Sequence, residues 1–61
     1  MARFYSFPDA GGKITYSINP QNVDFFYGEP NNKGLSTIVF SDGNKITVAA
    51  TQEQIAKAFE S

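Results

Sequence analysis

Apolar and polar residues alternate along much of this chain, and the alternation predicts strands. Across residues 13–18 it is strict: Ile14, Tyr16 and Ile18 fall on one face, Lys13, Thr15 and Ser17 on the other. A period of two is what a half-buried strand requires. Residues 2–7, Ala-Arg-Phe-Tyr-Ser-Phe, are rich in aromatics and read as a strand too. Residues 23–27 form a third, with Val23, Phe25 and Tyr27 opposite Asp24 and Phe26. Residues 35–41 are the strongest strand in the chain, and residues 45–50 are its partner.

Turn formers punctuate these runs. Pro8-Asp9-Ala10-Gly11-Gly12 separates the first two strands. Asn19-Pro20-Gln21-Asn22 ends the second, because proline cannot donate to a ladder and disfavours helix in the residue before it. Residues 28–34 read as a loop, and Ser41-Asp42-Gly43-Asn44 is a hairpin signal, since Gly43 can take a positive φ at no steric cost. The period then lengthens. Ile55, Ala58 and Phe59 stand at i, i+3 and i+4, one narrow apolar stripe on a helix. Thr51 and Gln54 have the spacing of a capping box at its start. A helix of about nine residues does not hold alone in water, so it must dock on the sheet.

The hairpin turn decides which side chains share a face, because a slip of one residue flips them all. A two-residue Asp42-Gly43 loop places Val39 opposite Ile46 and Thr37 opposite Val48. A three-residue Ser41-Asp42-Gly43 loop places Ile38 opposite Ile46 and pairs Thr37 with Thr47. The second is favoured because it gathers Ile38, Phe40, Ile46 and Val48 on one face. Either register leaves two large apolar residues of strand 35–41 on the other face, Leu35 and Val39 or Ile38 and Phe40. One short helix cannot cover both faces. The expected fold is a single domain over residues 1–61, mainly β within the α+β class. It is an antiparallel β-meander of about five strands with one short C-terminal helix packed on a sheet face.

Composition narrows what such a domain does. With 41% hydrophobic and 15% aromatic residues the chain should fold rather than remain disordered. A domain this small buries only about 60% of its unfolded surface and is marginal without a supplement. It has no cysteine for disulfides and no histidine for zinc-like metals, which leaves self-association. No apolar run approaches the roughly 18 residues of a membrane span, and the first residues lack the apolar stretch of a secretory signal. A cytoplasmic protein with no membrane contact is therefore expected. The net charge is −1, with Arg3, Lys13, Lys33, Lys45 and Lys57 scattered, so there is no electrostatic footprint for nucleic acid.

No chemistry of an enzyme is expected. The usual nucleophile–base pairings need histidine or cysteine. The six carboxylates lie in loops, strand edges and the helix rather than as a converging pair. Gly11-Gly12-Lys13 lacks the spacing of a phosphate loop, and the residues after Lys13 read as strand rather than helix. Asp42-Gly43-Asn44 lacks the ligand pattern of a calcium loop. No cofactor and no metal are expected. Phe25-Phe26-Tyr27 is different, because neighbouring strand residues point to opposite faces and the three cannot share one. Either both faces are covered, or one is a contact surface. The residues expected to form that surface are Tyr5, Phe26 and Leu35, with Val39 if the three-residue turn holds. The leading expectation is a non-catalytic interaction module, a homo-oligomer or the partner of another protein. The competing one is stacking of single-stranded bases on the sheet, which needs exposed aromatics flanked by Lys13 or Lys45.

The run Gly12-Lys13-Ile14-Thr15-Tyr16-Ser17-Ile18-Asn19-Pro20-Gln21-Asn22-Val23 resembles the small flagellar-operon FlbD/SwrD-like proteins. The resemblance continues through Thr37-Ile38-Val39-Phe40-Ser41-Asp42-Gly43-Asn44-Lys45 and the terminal helix. It departs at Ala49-Ala50-Thr51-Gln52, where that family tends to carry acidic residues. The resemblance implies a small accessory protein acting through contacts, with no catalytic residues to carry over. Small viral accessory proteins would share the same pattern.

Overall fold

The computed structural model describes residues 3–60. It contains five antiparallel strands and a C-terminal helix: β1 (Tyr5–Pro8), β2 (Thr15–Ile18), β3 (Val23–Gly28), β4 (Ser36–Phe40), β5 (Lys45–Val48) and α1 (Gln52–Glu60). The fold is mainly β with one helix, as the alternation predicts. Ala2, the first residue of the expected strand 2–7, lies outside the described residues.

The strands divide between two sheets, β1-β2 and β3-β4-β5. A continuous meander would need β2 to turn tightly onto β3. Asn19 instead accepts the Gln21 N–H on its side-chain oxygen (3.0 Å) and opens a 3₁₀ turn over Pro20–Asn22. The link between the sheets comes from the other side of the hairpin. Past Pro8, β1 runs alongside the end of β5 through a bridge between Asp9 and Val48. Ala49 N–H donates to the Pro8 carbonyl (2.8 Å) and Ala10 N–H to that of Thr47 (3.3 Å). The strand order across the molecule is thus β2-β1-β5-β4-β3.

Turns shorten several elements. The Asp9 carboxylate accepts the N–H groups of Lys13 (2.8 Å) and Ile14 (3.4 Å), holding both in the turn, so β2 begins at Thr15 and Ile14 is exposed. Gly12, at φ 73°, completes that turn in the left-handed region that glycine alone enters freely. In the β4–β5 hairpin Ile38 faces Ile46 and Thr37 faces Thr47, the register of the three-residue loop. Phe40 and Asn44 close it (2.7 Å) and Gly43 sits at φ 92°.

Inward side chains from both sheets meet under the helix. Phe7, Ile18, Ile38, Val48, Ala50 and Ile55 are buried, Ile38, Val48 and Ile55 completely. The helix begins where predicted: Gln54 N–H donates to the Thr51 hydroxyl (3.1 Å) and Thr51 N–H to the Gln54 side-chain oxygen (2.8 Å). Just before it, the fully buried Ser36 hydroxyl donates to the Ala50 carbonyl (2.7 Å), fixing the chain's departure from β5. The Phe59 ring then touches Tyr5 (5.6 Å) and Phe7 (6.2 Å) on β1 and Phe26 (5.7 Å) on β3.

A domain of this length has a total stability of about 3–9 kcal/mol. Replacing a fully buried Ile by Ala costs about 2–5 kcal/mol. Ile55→Ala is therefore expected to remove a large share of the protein's stability. Denaturant titration followed by far-ultraviolet circular dichroism measures the loss; a variant within about 1 kcal/mol of wild type, below that range, would refute this account of the core.

Candidate functional site: the open face of the three-stranded sheet

The sheet β3-β4-β5 has one face against the core and one away from it. Registers define the second face. Phe25 lies opposite Val39, Tyr27 opposite Thr37, and Val39 and Thr37 in turn opposite Lys45 and Thr47. Glu29 continues β3 by donating its N–H to the Leu35 carbonyl (2.9 Å), so Glu29 and Leu35 extend this face at one end.

Phe25 is 52% exposed and Tyr27 39%, the two rings stacked at 6.2 Å and 24°. Leu35 and Val39 beside them are half-buried. Polar groups complete the centre. The Thr37 hydroxyl donates to the Glu29 carboxylate (2.8 Å) and lies 3.3 Å from that of Thr47. Thr37 is buried despite lying on this face, screened by the side chains around it.

Of the four residues expected to form a contact surface, the structure brings Leu35 and Val39 together here. It places Tyr5 and Phe26 on the core side, half-buried and packed on Phe59. Phe26 does point away from Phe25 and Tyr27, but inward rather than outward. The cause is a bulge between Val23 and Phe25, where Asp24 interrupts the ladder. Without it Val23, Phe25 and Tyr27 would share a face; with it Val23 and Phe26 both point to the core. Phe25 and Tyr27 are thus the residues that strict alternation missed. No local signal marks the bulge, because Val23-Asp24-Phe25 is also the period-two pattern of an ordinary half-buried strand.

The edge of this sheet is guarded while its face is not. An unpaired β3 edge could recruit another strand. Gln52 at the start of α1 accepts the outward Gly28 N–H (3.4 Å), and the Asp24 bulge distorts the other end. Among the described residues the other exposed large hydrophobic side chains, Phe4 and Ile14, sit apart at the β1-β2 hairpin.

Among the described residues, no three Asp or Glu side chains gather as a metal site would require, and no helix is long and apolar enough to cross a membrane. Comparison with protein-family models, with curated proteins and with solved structures gives no match.

Because Phe25 packs outward and Phe26 inward, equal truncations should differ sharply. Phe26→Ala is expected to cost about 3 kcal/mol and Phe25→Ala less than about 1 kcal/mol. Paired denaturant melts check this, and equal losses would overturn the face assignment.

Proposed function

We propose that this protein is a non-catalytic interaction module that binds a second copy of itself through the open face of β3-β4-β5. The observation that carries the proposal is the apolar group Phe25, Tyr27, Leu35 and Val39 on a face that the helix does not cover. Its edge is guarded, which favours face-to-face packing over strand addition. A chain without cysteine or histidine has few other ways to enlarge a small core. A cytoplasmic setting belongs to the same proposal and suits the absence of cysteine. An accessory role of this kind is also what the resemblance to the flagellar-operon proteins implies.

Size-exclusion chromatography with light scattering tests the proposal, with a dimer expected at tens of micromolar. Phe25→Lys puts a charge amid the patch while leaving the core untouched. It is expected to weaken association at least about a hundredfold, as loss of a central aromatic anchor does. A strict monomer, or a dimer indifferent to Phe25→Lys, would overturn it.

A second reading is favoured by one observation: Lys45 shares the face with the stacked Phe25–Tyr27 pair, an arrangement suited to single-stranded bases. Fluorescence anisotropy with labelled oligonucleotides at low salt decides it. Absence of binding at ~100 µM removes it, because phosphate contacts alone reach that range.

A further inference from the structure

Apart from the exposed Asp24, which the bulge takes out of register, the open face has two charged positions, and they lie at diagonally opposite corners. Glu29 stands on the β3 side at the Leu35 end; Lys45 stands on the β5 side at the Val39 end. Between the two ends β4 advances from Leu35 to Val39, roughly 13 Å, and β3 to β5 is two strand spacings, roughly 10 Å. The apolar residues and the Thr37–Thr47 pair lie between.

That layout is its own complement. Consider a two-fold axis parallel to the sheet and perpendicular to the Glu29–Lys45 diagonal. Rotation about it lays a second open face on the first and exchanges the corners, so each Lys45 meets a Glu29 at both ends. With these dimensions the strands of the two copies cross at roughly 70°, near the orthogonal way in which sheets pack face to face. A two-fold contact uses the same patch on both subunits and closes on itself. Resting on the proposed self-association, we infer that the partner is a second copy in this orthogonal arrangement, with Lys45 of each copy paired to Glu29 of the other.

Charge exchange tests the arrangement. Glu29→Lys sets lysine against lysine at both corners, and Lys45→Glu sets glutamate against glutamate. Each alone is expected to weaken dimerisation about tenfold at low salt, since like charges across an interface are strongly unfavourable. The two variants mixed should form a heterodimer tighter than either homodimer, because every corner then holds opposite charges. The double variant Glu29→Lys/Lys45→Glu should recover wild-type association. Glu29 also accepts from Thr37, so circular dichroism first checks that Glu29→Lys is folded. If it is not, Glu29→Gln replaces it, and the mixture with Lys45→Glu must still outbind both parents.

Sedimentation equilibrium of singles, mixture and double variant reads the result. A wild-type monomer overturns self-association and this inference together. A wild-type dimer whose mixed variants show no preference for each other overturns this arrangement alone.

Discussion

The fold depends on one apolar stripe crossing the gap between two sheets. The β1-β2 hairpin and the β3-β4-β5 sheet are joined along the backbone by the Asp9–Val48 bridge and the hydrogen bonds beside it. Contacts as few as these do not order two sheets against each other. Ile55 and Phe59 do, because Ile55 is fully buried and the Phe59 ring touches β1 and β3 at once. The dependence is mutual: a nine-residue helix is unstable alone, and a two-stranded hairpin is marginal alone. Each element becomes stable only when the others are present. The polar contacts at Ser36–Ala50, Thr51–Gln54 and Gly28–Gln52 then fix where the helix starts, and so where Phe59 arrives.

Committing α1 to the seam has a cost elsewhere. Held over the inward residues of both sheets, it leaves the far side of β3-β4-β5 without a cover. That side carries Phe25, Tyr27, Leu35 and Val39, types that build sheet cores, among the polar Glu29, Thr37, Lys45 and Thr47. Among the described residues α1 covers one face of the sheet and leaves these apolar side chains on the other. The same helix nevertheless protects the sheet's margin, because Gln52 occupies the outward Gly28 N–H. Under the proposed self-association, contact is directed to the face.

Where local rules govern, the sequence was a sufficient guide. The capping box, the positive φ at Gly43, the β4–β5 register and the stripe Ile55, Ala58, Phe59 all follow from spacing and side-chain chemistry. The candidate face was half legible. Leu35 and Val39 follow from the hairpin register, but Phe25 and Tyr27 do not follow from alternation. A bulge at Asp24 changes the phase of β3, and a change of phase is set by tertiary packing, here the demand of the seam for Phe26 against Phe59. Tyr5 is drawn inward by the same ring. The division into two sheets was equally hidden, because the Asp9–Val48 bridge joins segments far apart in sequence.

The Thr37–Glu29 hydrogen bond bears on how well the open face is prepared for a partner. A glutamate free to rotate loses side-chain entropy when it pairs across an interface, which offsets much of the gain from an exposed ion pair. Here the carboxylate is already held at 2.8 Å by a hydroxyl that is itself buried and 3.3 Å from Thr47. Folding has therefore fixed one corner of the face before any encounter. Lysine at the other corner is long and exposed, so it adapts to a partner whose position is set elsewhere. In the proposed dimer a fixed anion and an adaptable cation divide the two demands of recognition, and the Thr37–Thr47 pair between them ties that preparation to the integrity of the sheet.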